Sequence, residues 1–272
     1  MSQGFQLEGQ GPFAYERFLV PAFFAPCAEQ LLDLAPAAPG QRALDVACGT
    51  GIVARLAAAQ VGAGGAITGV DINQGMIDVA RKVTAVGTIT WHTADATSLP
   101  LPDAVFDVAY CQQGLQFFTD RPLALRELHR VIKPAGRVAV AVWRALEHSP
   151  AFAAFVQVLQ RHAGDEAAAM MRAPFAWSDR DEMRSLMVSA GFDKTTIRMG
   201  VVMVRFRSAE EFLHHEVVSS PLAGPVGSLD DDRYRALSRD LTDVLSPYAD
   251  DDGIVLPVQT WLATAHKQET SQ

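Results

Sequence analysis

Between residues 42 and 143 the chain alternates short, almost wholly apolar runs with segments in which apolar residues return every three or four positions. Runs of the first kind suit strands covered on both faces and segments of the second suit crossover helices, so the alternation predicts a parallel sheet. Five strands are expected: RALDVA at 42–47, AITGVD at Ala66–Asp71, TITWHT at 88–93, FDVAYC at 106–111 and GRVAVAVW at 136–143. Asn73 can cap a helix over Gln74–Val83. Asp120 with Pro122 opens another that runs to Val131, where Lys133-Pro134 stops it.

After Trp143 the simple alternation lapses. An amphipathic helix is expected over 152–163, and Ser178-Asp179-Arg180-Asp181 reads as a capping box for a helix that ends near Gly191. Two further strands are expected at 195–206 and 254–266, and Ser208–Glu211 is a second capping box between them. About 45 residues therefore separate the last two strands, too many for a bare loop. Segment 208–252 is expected to be a mobile helical cover, with Pro221, Gly224, Pro225 and Gly227 as a flexible joint and a helix over 230–245. The expected organisation is one domain: an N-terminal helical cover at 1–41, a core at 42–143, cap insertions at 144–177 and 208–252, and the rest of the sheet at 178–207 and 253–267.

Composition narrows the class. With 49% hydrophobic and 20% charged residues, the 272-residue chain suits a packed globular protein, and it has no apolar stretch long enough for a membrane span. Lys and Arg number 23 against 31 Asp and Glu, for a net charge of −8, without the basic tract that nucleic acid demands. The N-terminus has no secretory pattern, and Cys27, Cys48 and Cys111 are scattered, so a cytoplasmic location is expected, with neither nucleic acid nor membrane as partner. The runs Asp230–Asp232 and Asp250–Asp252 lack calcium-loop spacing and no Cys/His arrangement has zinc spacing, so no metal is expected.

The chemistry concentrates in LDVACGTG, 44–51, where an acidic residue ends the first strand and two glycines form the turn before a helix. Glycine there lets backbone approach a ligand at a helix N-terminus. Gly49-Thr50-Gly51-Ile52-Val53-Ala54 also satisfies the G-x-G-x-x-A dinucleotide fingerprint, with Asp71 about 20 residues on, which keeps a nicotinamide-dependent oxidoreductase open. Asp45 argues against it, because an anion beside the glycine turn suits an ammonium group better than a pyrophosphate. Asp95 in Ala94-Asp95-Ala96, past the third strand, supplies an acceptor for an exocyclic amine.

Four segments in order, DVACGTG from Asp45, GVDIN from Gly69, ADATSLPLPDAVFD from Ala94 and RELHRVIKP from Arg126, resemble the class I S-adenosylmethionine-dependent methyltransferases, and within them the ubiquinone/menaquinone-biosynthesis type. The resemblance covers about 42–143. It implies an α/β, Rossmann-like, doubly wound and mostly parallel seven-stranded sheet with an antiparallel last strand and helical cap insertions. It also implies S-adenosyl-L-methionine as cofactor, S-adenosyl-L-homocysteine as product, and a methyl acceptor as partner. By the same resemblance Asp45 and the Gly49–Gly51 turn hold the methionine part and Asp71 the ribose, with Ala47 and Cys48 among the cofactor-binding residues. Ile72 and Met76 pack the adenine, Asp95 and Ala96 bind it, and Cys111, Gln112 and Gln116 face the methionine end. Glycine often stands in the family where Ala47 stands here.

Tyr15 is a further candidate beside the sulfonium, where an aromatic face helps. His148, His214 and His215, all in the expected covers, are the candidate bases. Phe- and Met-containing insertions and an acidic surface point to a small, apolar or aromatic acceptor. A cofactor-binding protein without transferase activity is the reading from another class.

Overall fold

The computed structural model describes residues 7–85, 87 and 89–269, so residues 1–6 of the expected cover and Thr88, the expected start of the third strand, lie outside the described residues. The strands are β1 Arg42–Val46, β2 Ala66–Asp71, β3 Ile89–Thr93, β4 Phe106–Gln112, β5 Ile132–Trp143, β6 Phe192–Phe206, β7 Ala249–Asp250 and β8 Gly253–Lys267. They form one sheet in the order β3-β2-β1-β4-β5-β8-β6, with β7 paired to β8. Neighbours from β3 through β5 run parallel, and β8 is antiparallel to both β5 and β6. The two-residue β7 makes eight strands rather than seven. It forms because Asp250 accepts the N–H of Asp252 and Gly253, at φ +126°, turns the chain back into β8, so the acidic run 250–252 is a hairpin turn. The chain crosses from β3 to β4 past β1, and the carboxyl ends of β1 and β4 flank the crevice where ligands of such sheets sit.

One face of the sheet is packed by α2 Ala25–Leu34 and α3 Ile52–Val61, the other by α5 Arg121–Val131 and α7 Arg180–Ser189. Tyr110, wholly buried on β4, donates its hydroxyl to the Ala35 carbonyl at 2.6 Å and so ties the end of α2 to the sheet. Asn73 caps α4 Gln74–Val83 and Asp120 caps α5, as their side-chain oxygens accept the N–H groups of Met76 and Leu123. Asp179 rather than Ser178 caps α7, accepting from Asp181 and Glu182. Strand β5 starts at Ile132, four residues before the expected Gly136, because Ile132 already pairs with Phe106.

The covers differ more from expectation. The N-terminal one is a short α1 Gly11–Ala14, a π-helical segment Tyr15–Phe24 holding Pro21, and α2. The helix expected over 152–163 is α6 Pro150–Arg172, which continues through a break at Gly164, φ +88°. The expected flexible joint is a helix, α9 Ala223–Gly227, with Val226 buried. Between α8 Ala209–Ser219 and α10 Asp231–Leu245 it belongs to a packed layer rather than a loosely jointed flap. Leu237, Leu241 and Leu245 of α10 are fully buried in one cluster with Phe152 and Phe155 of α6 and Val204 and Leu256 of the last strands. Among the described residues no helix is long and apolar enough to cross a membrane, and no group of three His, Cys, Asp or Glu could hold a metal ion.

Candidate active site

The crevice at the carboxyl ends of β1, β2 and β4 holds two adjoining recesses that share Ala47 and Asp71. The first is a narrow groove walled by Ile72, Asp95, Ala96, Thr97 and Phe118. The second is a wider cleft walled by Tyr15, Phe24, Gly49, Asn73, Met76, Gln112, Gln113, Gly114, Phe117, Trp143 and Pro174. Asp71 is buried, and its two oxygens accept the backbone N–H groups of Gly49 and Asn73, both at 2.8 Å. Each oxygen keeps a lone pair for a ligand. Burial raises its pKa above the ordinary range against the pull of those N–H groups. Asp95 is exposed and takes both of its bonds, from the N–H and hydroxyl of Thr97, on Oδ1, so Oδ2 keeps its full accepting capacity. The Thr97 N–H holds its pKa low.

Asp45 is deeper than the sequence suggests. It is 1% exposed and stands behind the turn rather than on either wall. Its Oδ2 accepts the N–H of Ala54 in the first turn of α3 at 3.0 Å, and Oδ1 has no partner among the described residues. Burial pushes its pKa up to about 8. The carboxyl therefore pins the helix start and leaves one buried acceptor unused, a deficit that a ligand can relieve.

The two glycines of the turn serve different ends. Gly49, φ +55°, has only the Tyr15 ring within reach of a Cβ, at 3.8 Å, so the cleft itself is what a side chain would enter. Gly51, φ +86°, has Trp91 beneath it, and a Cβ would come within 2.2 Å of that indole. Packing alone thus calls for glycine at 51, and Gly51 lines neither recess. Ala47 adopts φ +56°, a left-handed backbone that costs a non-glycine residue about 1–2 kcal/mol. The glycine that resembling sequences carry at this place thus has a physical reason.

Cys48, Cys111 and Gln116 are buried but stand behind the walls. Burial raises the Cys48 thiol well above its ordinary range and the Cys111 thiol to about 12, which leaves both inert. Gln112 donates to the Phe24 carbonyl at 2.9 Å and so fastens the N-terminal cover over the cleft, while its Oε1 is buried without a partner. The sequence reading missed Phe24, Asn73, Gln113, Gly114, Phe117, Trp143 and Pro174. Gln112-Gln113 was the available signal, two polar residues ending a buried apolar strand, and Gln113 is held there at φ +52°.

None of the three histidines reaches either recess. His148 sits half-exposed beside Glu147, 3.5 Å away. His214 and His215 lie against Phe18, with the His215 ring stacked on it at 4.2 Å. The same helix instead turns Glu216 inward. Glu216 lines a third space, a chamber that opens beside the cleft and shares Tyr15, Phe24, Trp143 and Pro174 with it.

Residues 44–140 match a family model described as a methyltransferase domain. The chain is 40% identical over 126 residues to a 2-phytyl-1,4-naphtoquinone methyltransferase of Synechococcus elongatus, covering 45% of this chain and 54% of that protein. It is 32% identical over 179 residues to the ubiquinone/menaquinone biosynthesis C-methyltransferase UbiE of Edwardsiella ictaluri, covering 61% and 71%. The first of these matches thus spans about half the relative's length. In fold the chain is similar to phosphoethanolamine N-methyltransferase 2 of Haemonchus contortus, solved with S-adenosyl-L-methionine, with a TM-score of 0.59 at 20% identity over 96% of this chain and 57% of that one. It is equally similar to the YcgJ protein of Bacillus subtilis, with a TM-score of 0.59 at 20% identity over 89% and 98%. With relatives matched at that identity and coverage, and the glycine turn, Asp71 and Asp95 gathered on one crevice, the chain belongs to the class I S-adenosylmethionine-dependent methyltransferases of the ubiquinone/menaquinone-biosynthesis type.

Proposed function

We propose that the protein transfers a methyl group from S-adenosyl-L-methionine to a small, largely apolar molecule, in the cytoplasm. The observation that carries the reading is the continuity of the cleft with a chamber walled mostly by aromatic and aliphatic side chains. The cofactor fits by its donor set. Asp71 faces both recesses with lone pairs to spare for the ribose hydroxyls, Asp95 has an open oxygen for the adenine amine, and Ile72, Ala96 and Met76 supply apolar wall for the ring. Asp45 Oδ1 and Gln112 Oε1 are buried acceptors awaiting the donors of an amino acid end. Cys48, Gly51, Cys111 and Gln116 support these groups from behind.

The cofactor supplies a methyl group already activated by its sulfonium, so the protein's task is to orient and to exclude water. Tyr15 and Phe24, with ring centroids 4.8 Å apart, roof the junction between cleft and chamber, and Trp143 and Pro174 wall it. Burial keeps the Tyr15 hydroxyl protonated far above its ordinary range, so it serves as a neutral donor and not as a base. The test is calorimetric titration with S-adenosyl-L-homocysteine, then release of that product from S-adenosyl-L-methionine across a panel of apolar acceptors. Micromolar binding with acceptor-dependent turnover is expected. Binding without turnover on any acceptor would leave a cofactor-binding protein, and preference for NAD would overturn the reading.

A further inference from the structure

We infer that the chamber beside the cleft is a binding site for a hydrophobic amine, whose ammonium group pairs with the Glu216 carboxylate inside a ring of six aromatic side chains. This rests on the methyltransferase reading above and names the class of molecule that the same site takes.

Among the described residues Glu216 is the one acidic group on the chamber wall, and none of them places a Lys, Arg or His there. The aromatic ring around the chamber is Tyr15, Phe23, Phe24, Trp143, Phe152 and Phe175. On α8 the buried residues are Ala209, Phe212, Leu213, Glu216 and Ser219, so Glu216 occupies a core position of the helix's apolar stripe. Among the described residues no hydrogen bond or ion pair reaches its carboxyl, and burial pushes its pKa to about 8. Beside it the Ser219 hydroxyl is buried without a partner among the described residues. The Ser220 hydroxyl turns back to the Glu216 carbonyl instead, at 2.6 Å.

An uncompensated carboxyl in an aromatic enclosure costs folding energy, and the partner that turns the cost into a gain is a cation brought by the ligand. Aromatic faces attract the same cation, and most strongly where water is excluded. The charged groups nearby are engaged elsewhere. Glu16 pairs with Arg55, Arg17 lies over Phe18, Glu211 pairs with Arg207, Glu210 meets Thr242, and Asp240 holds Arg161 and His162. Tyr15 is neutral, and the His215 ring packs on Phe18 and Phe206. Glu216 lines the chamber and not the cleft, whereas Gly49 and Asp71 line the cleft and not the chamber. The ammonium is therefore the anchor, and another atom of the ligand is presented toward the cofactor.

The test titrates 2-phenylethylamine and 2-phenylethanol into the full chain saturated with S-adenosyl-L-homocysteine. At pH 7 Glu216 holds a proton that it must lose to pair with the amine, so amine binding should release close to one proton, read from heats in buffers of different ionisation enthalpy. Affinity for the amine should rise about tenfold per pH unit up to pH 8 and then level, while the alcohol shows neither effect. Glu216→Gln should weaken the amine at least tenfold, abolish the proton release and leave S-adenosyl-L-homocysteine affinity unchanged. Equal binding of alcohol and amine, or an amine affinity indifferent to Glu216→Gln, would overturn the assignment and make the carboxyl a neutral donor to an oxygen. Failure of S-adenosyl-L-homocysteine to bind would instead strike the methyltransferase reading, and the same amine titration on the cofactor-free chain would still decide the role of Glu216.

Discussion

Asp71 at the end of β2 accepts the backbone N–H of Gly49 in the turn after β1, at 2.8 Å, and thereby locks two strand ends into one crevice. Removing this carboxylate should act twice. Asp71→Ala should lower stability by about 1–3 kcal/mol, because the N–H groups of Gly49 and Asn73 lose their acceptor. It should weaken S-adenosyl-L-homocysteine by about 2–4 kcal/mol, or roughly 30- to 700-fold, since the ribose loses an ionised acceptor. Chemical denaturation and calorimetry on the same sample separate the two. Wild-type affinity in a destabilised protein would reduce Asp71 to a brace.

The two glycines of the turn should part company. Gly51→Ala should be destabilised by several kcal/mol, since its Cβ meets Trp91 at 2.2 Å on a left-handed backbone, and Trp91→Ala in the same chain should restore part of the loss. Gly49→Ala should fold with a loss of about 1 kcal/mol from backbone strain yet bind cofactor poorly. Melting curves and S-adenosyl-L-homocysteine titration check both. A stable Gly51→Ala that fails to bind would return that glycine to the ligand.

Ala47 and Gly114 form a second coupled pair. Ala47→Gly should stabilise the protein by up to about 1 kcal/mol, the relief of a left-handed alanine less the extra freedom of glycine in the unfolded chain. Because the Ala47 Cβ stands 2.5 Å from where a Gly114 Cβ would lie, Gly114→Ala should be costly in the wild type and cheaper beside Ala47→Gly. Urea denaturation of the four proteins measures the coupling, and strict additivity would refute it.

How much of this was legible beforehand follows from the range of the interactions. Asn73 and Asp120 cap the helices their sequence context predicts, because a cap is a contact over three residues. The covered strands β1, β2, β4 and β5 were legible from their apolar runs, and the crevice followed from where those runs end. What escaped depends on partners distant in sequence. Trp91 beneath Gly51 lies 40 positions away, and nothing local tells a ligand glycine from a packing glycine. Glu216 was hidden in a run, HHEVVS, where the histidines drew the chemistry, although its place in the stripe with Phe212, Leu213 and Ser219 marks it as inward. The second arm of α6 beyond the break at Gly164 and the helical form of 223–227 come from burial in the cover's cluster, which no local pattern announces.

Stability should fall as pH rises through neutrality. Glu216 and Asp45 have folded-state pKa values raised by burial to about 8 from 4.5 and 3.8. A raised value means the folded chain holds its proton more tightly, so the contribution is complete below the unfolded pKa and is lost as pH climbs to about 8. Paired carboxylates such as Asp250 with Arg205 act oppositely and weaken the fold only in acid. The melting temperature of the ligand-free protein should therefore be highest near pH 4 and decline from there toward pH 8. Glu216→Gln should flatten that decline and raise the melting temperature at pH 8. A decline unaffected by Glu216→Gln would place the titrating group elsewhere.

The cover over 208–252 contributes Glu216, Ser219 and Ser220 to the chamber but no residue to the cleft or the adenine-side groove. Excising it would bare Val204, Phe206 and Leu256, so a gentler change isolates its role. Leu241 is fully buried in the cluster that α10 forms with α6 and the last strands. Leu241→Ala should cost about 2–5 kcal/mol, the range for a leucine removed from a packed core. At a temperature where the variant is still folded, S-adenosyl-L-homocysteine affinity should stay within about twofold, because every wall of its recesses lies outside the cover. Acceptor affinity should drop, because the helix that carries Glu216 loses the layer behind it and the chamber loses its shape. Differential scanning calorimetry, cofactor titration and amine titration on one preparation read the three effects. Equal loss of cofactor and acceptor binding would mean that the cover and the sheet respond as one unit.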